Sequence, residues 1–219
     1  MIGSRPKKLL DATIGAVAVG LLRAVKRIRR ERAANFAGAF MRKAGPLVPE
    51  HRLGRDNLRA AFPEKSAAEI EQILAGVWDN LGRVAAEFVH LNEFRVVEPG
   101  ISLTDTVIVD TATLERARRI AADKATLSFA CHTANWEIPA VVTHQVGVPS
   151  AVLYRRPNIA AVSDAIIKLR TGVMGQLVPT GLDAPVRLAR LLQNGVHVGM
   201  LVDQHYTKGV EVQFFGRTC

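Results

Sequence analysis

Two cysteines in 219 residues, Cys131 and Cys219, cannot build a disulfide framework. One closes an apolar stretch expected to be a buried strand and the other ends the chain, so a reducing compartment is the expected setting. Aromatic residues are only 5% of the chain, which leaves stacking platforms for single-stranded nucleic acid poorly supplied. Histidines spaced i, i+4 on one helical face are missing near His132, Glu137 and His144, so these three make no zinc site and no metal is expected. No serine or cysteine stands where it would be an obvious attacking group. Any nucleophile is then expected to arrive with a substrate. The chain also has no internal repeat and no low-complexity tract.

What remains is 48% hydrophobic and 22% charged, the composition of a folded chain. The net charge of +9 is uneven: residues 1–32 carry nine Lys or Arg against Asp11 and Glu31, a surplus of seven that leaves two for the rest. These cations flank an uncharged run from Ala12 to Leu22, shorter than the roughly 20 apolar residues a spanning helix needs. Extending the run to Leu9–Val25 admits Asp11 and Arg23. It reads as a monotopic or marginally spanning anchor on an anionic cytoplasmic membrane surface. Charges that flank an apolar run, rather than lining one helical stripe, do not fit a nucleic-acid partner.

Three regions follow: a basic membrane-anchoring helix over 1–30, a helical region over 31–98, and an α/β domain over 99–219. In the second, helices are expected over Arg29–Ala44, Glu50–Ala61 and Ser66–His90, the last opened by a capping box of Ser66 and Glu69. After Glu98-Pro99-Gly100 the pattern alternates. Strands are expected at 107–109, 127–131, 151–154, 196–202 and 210–215, and helices at 111–122, 136–146, 159–173 and 183–194. That alternation predicts a mixed, mostly parallel sheet flanked by helices and preceded by N-terminal helices that include the anchor. In such sheets chemistry gathers at the carboxyl ends of strands. His132, Arg155 and Asp203 each stand just past a predicted strand.

The block Cys131-His132-Thr133-Ala134-Asn135-Trp136-Glu137 holds a base and a carboxylate. An imidazole there can take a hydroxyl proton, and a carboxylate can fix its tautomer. On one continuous helix His132 and Glu137 would stand about 140° apart. They meet only if His132 stays on the strand end and the helix begins after it; otherwise they are a core histidine and a surface glutamate. Cys131, alternating with His132, is expected to be buried. Arg155 and Arg156 follow a strand, and one of them should enter the strand-end cleft, where a guanidinium suits a phosphate or an oxyanion. Arg170 does the same or is a solvated helix-end arginine. Asp203 orients an arginine or caps its turn, and His205 reads as a loop residue.

Together these residues resemble the bacterial lipid A biosynthesis acyltransferases, the lauroyl/myristoyl group, which is similar to glycerolipid acyltransferases in its histidine–acid dyad. His132 to Glu137 resembles the H-x-x-N-W-E block. Tyr154-Arg155 with Pro157 and Asn158 resembles Y-R-x-P-x-N, and Arg170 with Gly172 is similar to R-x-x-G. Asp203-Gln204 and Phe214-Phe215-Gly216 resemble the D-Q and F-F-G elements, and Asn57-Leu58-Arg59 before Phe62-Pro63 resembles the N-terminal half. The resemblance implies a glycerolipid acyltransferase-like fold and transfer of a fatty acyl group from acyl carrier protein to a hydroxyl of an anionic lipid A precursor. This would occur on the cytoplasmic face of the bacterial inner membrane. It makes His132 the base and Glu137 its orienter, with Arg155, Asn158, Arg170, Asp203 and Gln204 binding substrate and no cofactor. Family members continue past F-F-G, so the chain reads as C-terminally shortened. Two alternatives stay open: another lipid or lysophospholipid as acceptor, or a non-catalytic membrane lipid-binding relative.

Overall fold

Residues 5–97, 106–204 and 210–218 are described by the computed structural model. Four helices come first: α1 (Arg5–Lys26), α2 (Arg30–Ala44), α3 (Pro49–Ala61) and α4 (Ala67–Glu87). Helix α4 starts where the sequence predicts, because the Ser66 hydroxyl accepts from the Glu69 amide at 3.3 Å and the Glu69 carboxylate accepts from the Ser66 amide at 2.8 Å. It ends sooner than expected, passing into a 3₁₀ turn over Phe88–Glu93.

Helices α2 and α4 pack closely because glycine faces backbone at their crossing. A Cβ at Gly82 would collide with the Ala37 carbonyl, and one at Gly38 would stand 3.1 Å from the Asp79 carbonyl oxygen. Asp79 then bridges the pair, accepting from Arg42 at 2.5 Å and from Arg83 at 2.7 Å. Helix α3 joins through His51, whose Nδ1 accepts from the Trp78 indole at 3.0 Å while Nε2 meets Glu71 at 3.1 Å.

Beyond them lie β1 (Arg95–Val97), β2 (Thr106–Ile108), α5 (Thr111–Ala122), β3 (Leu127–Ala130), α6 (Ile138–Gln145) and β4 (Ser150–Tyr154). The chain continues through α7 (Ala160–Arg170), β5 (Gln176–Pro179), α8 (Ala184–Gln193), β6 (His197–Leu201), β7 (Gln213–Phe214) and β8 (Arg217–Thr218). The main sheet runs β3-β6-β4-β5, all parallel. Side chains alternate across it. Val152 and Leu177 join a core of Leu91, Phe94, Val141 and Met174, while Ala151 and Val178 join Leu188 and Val198 beneath α8 on the other face. The fold is therefore α/β, with a parallel sheet flanked by helices.

Several expectations change. Strands β1 and β5 were not anticipated; β5 is only four residues, and its closing proline suits a sheet edge. The strand expected over 210–215 shrinks to Gln213–Phe214, paired antiparallel with Arg217–Thr218. Phe215 and Gly216, at φ of 50° and 74°, turn that hairpin. Cys131 is exposed rather than buried, because β3 is an edge strand that ends one residue earlier and all four of its residues are exposed. Among the described residues, no helix is long and apolar enough to cross a membrane, so the spanning form of the anchor has no support. Pro99, Gly100, His205 and Cys219 lie outside the described residues.

Candidate active site

Strands β3 and β6 are parallel neighbours, with Ala130 opposite Leu201. Their carboxyl ends therefore release the chain side by side, and two residues further on stand His132 and Asp203. The pairing of those two residues is close. Asp203 Oδ1 lies 2.7 Å from His132 Nδ1, and Oδ2 accepts from the His132 amide at 2.7 Å. Burial pushes the Asp203 carboxyl up, but hydrogen bonds from the His132 ring and amide outweigh it and hold the group below the ordinary aspartate range. An ionised carboxylate at Nδ1 keeps the ring proton on that nitrogen and leaves Nε2 as an acceptor. The Gln204 amide nitrogen lies 3.2 Å from Nε2 and donates to it. The imidazole is also held edge-on to Trp136, with ring centroids 5.1 Å apart.

Between His132 and α6 the chain makes a compact loop that α4 fastens. Ala134 takes a left-handed φ of 48°, which costs a residue with a Cβ and needs outside support. Asn80 of α4 supplies it, donating to the Ala134 carbonyl at 3.0 Å. The neighbouring Asn135 donates to Glu87 at 2.8 Å and accepts from the Glu137 amide at 3.2 Å. The motif asparagine is thus a loop fastener.

Glu137 goes elsewhere than expected. It is buried at 5% exposure, and both of its oxygens accept from Arg170: Oε2 from Nε at 2.9 Å and Oε1 from Nη2. The sequence expectation that Glu137 orients His132 is not what the geometry shows; Asp203 occupies that position. Arg170 is correspondingly no free helix-end cation. Its guanidinium lies 5.3 Å from the centroid of the Phe88 ring and 6.0 Å from that of Tyr154, so the pair is enclosed by aromatic faces.

A cavity of about 720 Å³ runs over β3, β6 and β4 under α6. Its wall is mainly apolar, with Val152, Met174, Val198 and Met200 among its residues, and the Glu137–Arg170 pair is its principal charge. The size is that of a small-molecule pocket. Cys131 and Thr133, on either side of His132, line it, and so does Trp136; His132, Asp203 and Gln204 do not. Trp136 thus borders both the cavity and the imidazole. Arg155 and Asn158 are exposed and line neither this cavity nor a smaller one beside it. The structure therefore groups His132 with Asp203 and Gln204, groups Glu137 with Arg170, and leaves Arg155 and Asn158 apart from both.

Asn80 and Glu87 carry no local signal of their role, since they sit on α4 about 50 residues before the loop they hold. Asp203 did carry one: it stands as far beyond β6 as His132 stands beyond β3. No three or more His, Cys, Asp or Glu among the described residues are grouped to hold a metal ion.

A family model described as bacterial lipid A biosynthesis acyltransferase matches residues 4–219. No curated protein matches the chain.

Proposed function

The chain belongs to the bacterial lipid A biosynthesis acyltransferase family and is an acyltransferase; from that premise we propose that it moves a fatty acyl group from acyl carrier protein to a hydroxyl of an anionic lipid A precursor, with His132 as general base. The observation that carries this reading is an imidazole whose Nδ1 is fixed by a carboxylate and whose acceptor Nε2 meets only the neutral Gln204 amide among the described residues, beside a tryptophan that borders an apolar cavity.

In this reading the acceptor hydroxyl displaces the Gln204 amide from Nε2 and gives its proton to His132. The oxygen attacks the thioester carbonyl, the C–S bond breaks as the tetrahedral intermediate collapses, and the imidazolium returns the proton to the leaving sulfur. Asp203 stabilises that imidazolium and keeps the ring in the productive tautomer, the part expected of Glu137. Glu137 and Arg170 then form the polar wall of the acyl cavity and hold the loop that carries Trp136. A protein nucleophile is not needed, because the substrate supplies the hydroxyl.

Attachment to the cytoplasmic face of the inner membrane belongs to the same proposal. Helix α1 turns Gly15 inward, where an added Cβ would lie 3.0 Å from that of Ala161. Leu10, Ile14, Val17 and Leu21 recur at helical spacing and are 44% to 61% exposed. An unburied apolar stripe followed by Arg23, Arg27 and Arg29 favours a helix lying in the interface of an anionic bilayer rather than crossing it.

Transfer of a radiolabelled acyl chain from acyl carrier protein to a lipid A precursor tests the reading. The intact chain should transfer, and His132→Ala should lose transfer while still floating with anionic vesicles. Full transfer by His132→Ala would overturn the dyad chemistry.

A further inference from the structure

A second cavity, of about 400 Å³, lies across the edge strand β5. Tyr154, Arg156, Thr171, Gln176 and Arg187 are on its wall, and no carboxylate is. Two guanidinium groups without an acidic neighbour on the wall make it unlike the larger cavity, whose arginine is neutralised by Glu137. Arg156 uses one nitrogen, donating Nε to the Tyr154 hydroxyl at 3.3 Å; its terminal amino groups have no hydrogen-bond partner among the described residues. Arg187 comes from α8, and Asp183 is 3.7 Å away on the same helix face, an exposed and loose ion pair. Arginines from two different elements thus border one polar hollow.

The two cavities are neighbours. Tyr154 lines both, and Arg170 of the larger leads directly into Thr171 and Gly172 of the smaller. An apolar space and a cationic space divided by one tyrosine match a ligand with an apolar chain and an anionic group. We propose that the cleft over β5 is a phosphate subsite, with Arg156 and Arg187 as its cations, for the phosphate ester of whichever substrate places its apolar chain in the larger cavity. Planar guanidinium forks suit phosphate oxygens, and two of them suit a doubly charged group. The assignment of a substrate to the site rests on the acyltransferase reading above; the existence of the site does not.

Calorimetric titration of the whole chain at low salt tests it with three probes: inorganic phosphate, 4′-phosphopantetheine and glucosamine 1-phosphate. Saturable binding is expected, weakened about tenfold by Arg156→Gln and again by Arg187→Gln, and unchanged by Arg190→Gln, an exposed arginine on the same helix that lines neither cavity. Tighter binding of the pantetheine ester gives the site to the acyl donor, and tighter binding of the sugar phosphate gives it to the acceptor. Equal affinity for all three means that the phosphate alone is recognised. Binding that survives the double Arg156→Gln, Arg187→Gln variant, or no saturable binding of any probe, overturns the proposal. No turnover is required, so a chain inactive in acyl transfer still answers the question.

Discussion

The carboxylate of Asp203 holds His132 twice, one oxygen at the ring nitrogen Nδ1 and the other at the backbone amide, each at 2.7 Å. Both the tautomer and the position of the imidazole then depend on a residue 71 positions away. Replacing Asp203 by Asn keeps the shape but offers an amide that can donate to Nδ1 and so favours the wrong tautomer. The turnover number of acyl transfer should fall by about 10²- to 10⁴-fold, with KM nearly unchanged. Steady-state kinetics on Asp203→Asn and Asp203→Glu decide it; wild-type turnover in the Asn variant would remove Asp203 from the mechanism.

That relationship also separates what can be read from the linear sequence from what cannot. The capping box that opens α4 and the whole of α5 (Thr111–Ala122) are local, set by residues a few positions apart, and they stand where the sequence predicts. His132 at a strand end is local too. Its partner depends on sheet order. Only because β6 lies between β3 and β4 do the ends at Ala130 and Leu201 come together. The family resemblance pointed instead to Glu137, the acid near in sequence, whose carboxylate is taken by Arg170, 33 residues further along. Of the two adjacent arginines expected to supply the strand-end cleft, neither lines the larger cavity; Arg156 borders the smaller one across β5.

The Glu137–Arg170 pair is mostly buried, with side chains 6% and 17% exposed. Removing one member leaves the other charge without its partner in an apolar wall. Glu137→Ala should therefore cost about 3 to 5 kcal/mol of stability, and the Glu137→Ala, Arg170→Ala double variant less than the sum of the singles. Urea unfolding of the three variants measures this. An Asp203→Ala variant, whose carboxylate is one-third exposed, should lose far less stability and far more activity. Equal stability losses at the two sites would contradict the separation of roles.

Acid should unfasten α2 from α4 through Asp79. Hydrogen bonds from Arg42 and then Arg83 hold its carboxyl below the ordinary aspartate range, against a smaller upward push from burial. A depressed native value means that its contribution is fully present above the unfolded value of about 3.9 and is lost as the pH falls through the native one. The Tm of the intact chain should drop steeply below about pH 4. Asp79→Asn should lower Tm at neutral pH and show a shallower acid slope, so that the two curves converge at low pH. The slope should not vanish, because Glu93 is held down in the same sense: burial raises it, and Lys26 and His90 more than offset that. Parallel curves for variant and wild type would rule Asp79 out as a source of acid sensitivity.

Helix α1 offers the sharpest test of whether the chain meets a membrane. Lys26 ties its end to Asn92 at 2.7 Å and Glu93 at 2.6 Å, so the helix is docked on the body through one side. The opposite side carries Leu10, Val17 and Leu21, each close to 60% exposed. A side chain that is already exposed loses little folding stability when made polar, whereas each such leucine buried in a bilayer interface contributes about 1.5 to 3 kcal/mol. Leu21→Ser should thus weaken partitioning onto anionic vesicles about tenfold or more with Tm nearly constant, and Val17→Ser should add to it. Raising the salt should weaken binding further, since Arg23, Arg27 and Arg29 act through screened charge. Vesicle flotation beside a thermal melt reads both quantities. Loss of Tm without loss of partitioning would place this stripe against protein instead of lipid.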